Sequence, residues 1–162
     1  MNDLERFIKL LNSFSDGMLV THSSNGELHA RPMAKAAADP KGDVWLLTGA
    51  GSEKVYEVEH DARACVTMHE GRTWLSVNGT CRTLRDPERI KQMWQEPWRV
   101  WFPKGPTDPE IVLLHIRTTH GEFWDNSGTQ AIRFAYEAAK AYLSGDRMQS
   151  QGAQQAKVNL PT

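Results

Sequence analysis

Residues 18–48 read MLVTHSSNGELHARPMAKAAADPKGDVWLLT, and this stretch decides the fold. Asn25-Gly26 sits between two β-like runs, and Asn-Gly in that position is the strongest short-range hairpin signal. Pro40-Lys41-Gly42-Asp43 makes a second turn. The spacing predicts three strands, over 18–22, 28–37 and 44–48. Their connections are too short for the crossover that parallel strands need, so the strands are antiparallel. The middle strand alternates. Leu28, Ala30, Pro32, Ala34 and Ala36 face one side, and His29, Arg31, Met33 and Lys35 face the other.

Working outward, residues 3–14 (DLERFIKLLNSF) place Leu4, Phe7, Ile8 and Leu11 on one helical face. Asp3 and Glu5 sit early in that helix, where its dipole favours them. Asp16-Gly17 stops it. After Thr48, the turn Gly49-Ala50-Gly51-Ser52 opens a helix over 53–59. Strands are expected over 64–68 and 74–84. Asp86-Pro87 then supplies an N-cap and a first-turn proline for a helix over 88–95. Residues 96–110 (EPWRVWFPKGPTDPE) form an aromatic, proline-rich loop. Strands over 111–117 and 121–124 follow. A helix over 129–143 carries Ile132, Ala135, Ala139 and Tyr142 on one face, and Gly145 closes it. Residues 1–145 make one domain. Residues 146–162 are a Gln-rich polar tail, expected to be mostly mobile. Strands outnumber helices and short turns join most of them, so the expected class is mainly β (α+β), a small antiparallel barrel with peripheral helices.

The 162 residues hold 19 Lys and Arg against 20 Asp and Glu, a net charge of −1. That balance excludes the basic footprint of a nucleic-acid binder. No apolar run approaches the roughly 20 residues of a membrane span. Residues 1–11 lack the apolar core of a signal peptide, so the expected location is the cytoplasm. Cys65 and Cys81 fit no CxxC pattern and are expected to be reduced, inert thiols in strands. The six histidines follow no ligand spacing, so no metal is expected.

The segment from Thr48 to Lys54 is the best candidate for chemistry. A strand enters a glycine-rich turn and a helix begins beyond it. The free N–H groups of a helix start suit a phosphate. Ser52 either caps that helix or donates to the anion, and Lys54 adds a full charge. Neither GxxxxGK[ST] nor GxGxxG is present. Arg31 and Lys35 are two cations on one strand face near this turn. Pro32 cannot donate to a ladder and marks an edge or bulge. Trp98, Trp101 and Phe102 cover a planar ligand, join two subunits, or pack beneath their own loop. Glu57 and Glu59 read as helix surface.

Five segments occur in one order: LHARPMA (28–34), VWLLTGAGSEK (44–54), VNGTCRTLRDPERIKQMW (77–94), VWFPKGPTDPEIVLLHI (100–116) and EFWD (122–125). Together they resemble a bacterial general stress protein of the pyridoxamine 5′-phosphate oxidase-like, FMN-binding split-barrel superfamily. The resemblance spans about residues 3–145. It implies a six-stranded antiparallel split β-barrel and a homodimer with flavin at the subunit interface. The cofactor implied is FMN, with FAD possible. By position, Arg31, Pro32 and Met33 would contact the flavin and its phosphate chain, Leu47 and Thr48 would line the ring or chain, and Ser52 and Lys54 would hold the phosphate. Trp124 would lie near the ring. The partner would supply residues from 74–79 and 98–102.

The chain departs from the true oxidases at Glu53, where they carry an arginine, and at Trp74, where they often carry a glutamine. No Arg-x-His motif follows Trp124. The resemblance therefore implies a flavin-dependent oxidoreductase of another small molecule, or a non-catalytic flavin carrier or stress sensor. It does not imply a vitamin B6 phosphate oxidase.

Overall fold

The computed structural model describes residues 1–145 and 155–160. Six strands form the barrel: β1 (Asp16–His22), β2 (Leu28–Ala38), β3 (Val44–Gly49), β4 (Arg63–Glu70), β5 (Thr73–Leu84) and β6 (Ile111–Asp125). All pairings are antiparallel, in the order β3-β2-β1-β4-β5-β6, and β3 pairs again with β6 to close the barrel. The fold is therefore the mainly-β barrel with peripheral helices that the turns and the resemblance imply. Both sequence hairpins are present. Gly26 and Gly42 take φ values of 84° and 86° in the two turns, a region that L side chains rarely adopt.

Helix α1 (Asp3–Ser13) begins with a reciprocal capping box between Asn2 and Glu5. Its apolar face buries Phe7 and Leu11 in the main core with Leu19, Leu46, Val66, Leu75, Val77, Leu114, Ile116 and Phe123. The approach to the barrel is close. A Cβ on Gly121 would lie 2.3 Å from the Phe7 ring, so only glycine fits beneath it. A smaller core lies outside the barrel wall. There Trp45, Ile111 and Leu113 meet Ile90 of α3 (Pro87–Met93).

Two expectations need correction. The strands expected at 111–117 and 121–124 are one strand. The polar run RTTHG between them reads as a loop, yet Thr118 is buried, its hydroxyl donating to the Gly42 carbonyl and its N–H to Asp43. The turn before β3 satisfies these groups, and β6 continues through a register shift at Asn78/Gly79. A Cβ on Gly79 would lie 2.0 Å from the Arg117 carbonyl oxygen, which explains the glycine at that bulge.

The second correction concerns the tail. Gln155–Asn159 forms a seventh strand, β7, beside β6, and Val158 and Leu160 are buried. Ala156, Val158 and Leu160 supply an apolar period of two in a segment whose overall polarity hides it. The rest of the tail, 146–154 and 161–162, lies outside the described residues. Leu160→Ala should cost about 2 kcal/mol, the low end for a buried leucine near a chain end, as read from chemical denaturation. An unchanged midpoint would mean that β7 adds nothing to stability.

Helix α4 (Thr129–Ser144) forms where expected and ends at Gly145 with φ 71°. Ile132, Tyr136, Tyr142 and Leu143 are all exposed on it.

Candidate functional site

Helix α2 (Glu53–His60) follows the Thr48–Ser52 turn. Ser52 occupies the N-cap position in extended conformation, but its hydroxyl makes no capping bond. It lies 3.3 Å from the Thr48 hydroxyl, and Lys54 Nζ also lies 3.3 Å from that hydroxyl. Of the two readings of Ser52, the structure therefore rejects the cap and leaves the three polar groups converging. Burial lowers the Lys54 pKa from 10.5, and the Arg31 charge lowers it further against Glu57 and Glu53. An ammonium in that position is short of negative charge. Glu53, the departure from the oxidase pattern, is exposed.

Pro32, Met33, Ala34, Leu47, Thr48 and Lys54 line one cleft of about 320 Å³ with Trp98, Trp101 and Phe102. One end is polar and cationic, and the rest is apolar and aromatic. The loop aromatics divide their roles. Trp98 is buried and meets Trp94 edge to face, whereas Trp101 is exposed over the cleft.

Arg31 and Trp124 do not join this cleft. Trp124 lines a separate cavity of about 440 Å³ with Met18, Thr67, His69, Trp74 and Ser76, and Pro32 is common to the two spaces. Arg31 turns toward α2. Its guanidinium donates to Glu57 Oε2 at 2.5 Å, to the Thr21 hydroxyl and to the His29 carbonyl. Lys35, the second cation of that face, is also diverted. It is buried, and its Nζ donates to the Leu11 carbonyl at 2.5 Å, in the last turn of α1. Arg99 is held by Glu96 and the Pro103 carbonyl.

Glu57 is the residue that sequence reasoning missed. It is 5% exposed, not helix surface, and it accepts from Thr21 Oγ1 at 2.6 Å and pairs with His29 Nδ1 at 2.5 Å. A glutamate on an eight-residue helix carries no local signal of burial, because its partners lie 26 to 36 residues away. Burial alone would raise its pKa. The hydrogen bonds from Thr21, His29 and Arg31 outweigh that effect and hold the carboxyl below its ordinary 4.5. The sign follows from linkage. A depressed carboxyl stabilises fully above pH 4.5, and that contribution is lost as pH falls through the folded value. Denaturation between pH 5 and pH 3 should show it, with a shallower slope in Glu57→Gln. Equal slopes would mean that Glu57 is not the group involved.

His29, Glu53 and Glu57 bring possible ligand atoms within 4.8 Å of one another. The Glu57 carboxylate already meets the Arg31 guanidinium, a neighbour that repels a metal ion, so we assign no metal centre. Cys81 is buried in the main core and its thiol is pushed up to about 12 by burial, as expected of an inert cysteine.

A closed antiparallel barrel with a cationic turn at the mouth of an aromatic cleft defines a class of binding barrel suited to a planar phosphorylated ligand. Comparison with known proteins identifies which one. The model of the family described as pyridoxamine 5′-phosphate oxidase like matches residues 2–149, and the chain belongs to that family. Among solved structures, a candidate general stress protein 26 from Jannaschia sp. CCS1 is 26% identical, with TM-score 0.72 over 99% of this chain and 100% of that one. The general stress FMN/FAD binding protein of Xanthomonas citri is 26% identical, with TM-score 0.66 over 77% of this chain and 89% of that one. General stress protein 26 of Bacillus anthracis shares the fold at 20% identity and TM-score 0.69, over 76% and 94% of the two chains. No curated protein matches significantly. Among the described residues, no helix is long and apolar enough to cross a membrane.

Proposed function

We propose that this chain is a cytoplasmic general stress protein that binds FMN, or FAD in its place. In this reading it serves as an oxidoreductase toward a small molecule other than pyridoxine phosphate. The observation that carries the reading is the convergence of Lys54 and of Ser52, which lies just outside the cleft lining, on the Thr48 hydroxyl, in a cleft lined by Thr48 and Lys54 with Met33, Leu47, Trp101 and Phe102. The polar end fits a phosphate and the apolar wall fits a planar ring. The similarity to the Xanthomonas citri FMN/FAD binding protein supports the same assignment. When bound, the flavin supplies the redox chemistry, and the protein supplies position and electrostatics. Thr48 and Ser52 would orient the phosphate by their hydroxyls, and Lys54 would balance its charge. Trp101 and Phe102 would shield the ring from water.

The cleft lies at the lower end of the size range for small-molecule sites, and the second cavity adjoins it across Pro32. A second copy of the chain would enlarge it. Trp74 and Trp101 are exposed at the two adjoining cavities, and burying them against a second copy supports such a homodimer. Sedimentation at micromolar concentration should give twice the monomer mass, and a flavin-bound monomer would refute the shared site.

Lys54 is the one titratable side chain lining the cleft among the described residues, and it is assigned to the phosphate. That favours a second reading, a flavin carrier or sensor without turnover. The visible spectrum of the purified protein tests flavin binding, with absorbance near 450 nm expected. Steady-state oxidation of NAD(P)H separates enzyme from carrier. Hydrogen peroxide release with pyridoxine 5′-phosphate should stay at background. Turnover near the median enzyme rate of about 10 per second would show the substrate assignment to be wrong.

A further inference from the structure

We propose that the groove formed by β5, β6 and the turn that leads into β3 binds a small polyanion, a multiply phosphorylated or multiply carboxylated metabolite, at a site separate from the flavin cleft. The groove measures about 750 Å³, and its polar lining is Lys41, Asp43, Thr80, Arg82, His115 and Arg117. It shares no lining residue with the flavin cleft. Asp43, immediately before β3, and Thr48, near its far end, stand five positions apart, which separates the two sites by about 16 Å at the rise of a strand.

Three full cations line the groove against one carboxylate, in a chain whose net charge is −1. Arg82 lies opposite His115, and Thr80 lies opposite Arg117, so the two arginines are diagonal neighbours on one face of the β5–β6 ladder. Like charges so placed repel one another. Among the described residues, no carboxylate relieves that repulsion. Asp43 is already committed, with Oδ2 2.8 Å from His115 Nε2 and Oδ1 accepting from the Thr118 N–H at 3.0 Å.

The groove is also preorganised. Arg82 Nε lies 3.3 Å from His115 Nδ1. An arginine N–H can only donate, so His115 Nδ1 accepts and the imidazole proton sits on Nε2, where it is donated to Asp43. Trp45 stacks on the His115 ring at 3.9 Å and 11°, and Trp45 is itself buried in the minor core. The chain Asp43–His115–Arg82 therefore anchors the guanidinium through Nε alone. Its terminal N–H groups, and the Lys41 ammonium and Arg117 guanidinium, have no hydrogen-bond partner among the described residues. A fixed arginine fork with free terminal donors matches phosphate and carboxylate oxygens. The buried Trp45 offers no stacking face, and no other aromatic carbocycle lines the groove, so the site lacks the platform that a nucleic-acid strand uses.

The test is calorimetric titration of the purified full chain, at low ionic strength, with pyrophosphate in one arm and citrate in the other. The expected result is saturable binding of at least one of them, weakened with added salt. Arg82→Gln and Arg117→Gln should each reduce affinity by about tenfold or more, the loss of one charge-assisted bond. Arg117 and Arg82 are exposed, and unchanged melting of both variants would confirm that they fold. Lys54→Ala should keep the binding that Arg82→Gln and Arg117→Gln weaken. Tighter pyrophosphate binding assigns a phosphorylated ligand, and tighter citrate binding a polycarboxylate. Absence of binding in both arms would overturn the proposal, as would parent-like affinity in both arginine variants. Loss of binding in Lys54→Ala would overturn it differently, by placing the anion in the flavin cleft. The outcome does not depend on whether flavin binds there.

Discussion

Lys54→Ala should weaken FMN binding by about 10- to 150-fold, the equivalent of one charge-assisted hydrogen bond at about 1.5–3 kcal/mol. Riboflavin lacks the phosphate, so its affinity should hardly change. The contrast between the two ligands isolates the phosphate contact from any general loss of structure. The lowered Lys54 pKa adds a second signature. As pH rises toward 10.5 the free ammonium is lost before an ordinary lysine would lose it, so FMN affinity should begin to fall below that pH. Bound phosphate favours the charged form and opposes the loss, so binding takes up protons in that window. Fluorescence titration of both ligands measures all of this. Equal losses for FMN and riboflavin would overturn the phosphate assignment.

Glu57→Ala should destabilise the fold by about 3 kcal/mol. Breaking a buried ion pair by removing one partner costs about 3–5 kcal/mol, and the exposure of Arg31 (19%) and His29 (36%) to solvent places this case at the low end. For a chain of this size the midpoint should fall by roughly 6–12 °C. Truncation removes the one acceptor shared by the Thr21 hydroxyl, the His29 imidazole and the Arg31 guanidinium. Glu57→Gln keeps the volume and an acceptor oxygen, so it should lose less. The double variant Glu57→Ala with Arg31→Ala should recover part of the loss, because it removes the uncompensated charge. Strict additivity in that cycle would show that the pair is not coupled. The same network explains why Arg31 faces α2 and not the flavin cleft. If the proposed flavin recruits Arg31, it must compete with Glu57 for that guanidinium.

Strands β1 to β5, both hairpins and the four α-helices of the described residues were legible because their signals are local. Asn25-Gly26 and Gly42 need backbone that only their turns supply. Asp86-Pro87 starts a helix by its own chemistry, and Phe7 with Leu11 shows the helical period of α1. The cleft's Thr48, Ser52 and Lys54 were legible for the same reason, since they sit within seven residues of one turn. The continuity of β6 was not legible, because Thr118 and Thr119 look solvated until Gly42, Asp43 and Asn78 arrive to bond them. Neither was β7, whose short apolar alternation becomes a strand only against the exposed half of β6. Sequence placed Arg31 and Lys35 on one strand face correctly, but barrel closure sent one to Glu57 and the other to the Leu11 carbonyl. Trp124 was separated from the cleft in the same way, by the pairing of β5 with β6 and not by any property of its own segment. Periodicity and turn chemistry act over a few residues, and the sequence alone determined what they control. Which charge meets which, across 26 to 36 residues, depends on strand register and on the closing of β3 against β6, and only the tertiary structure decided it.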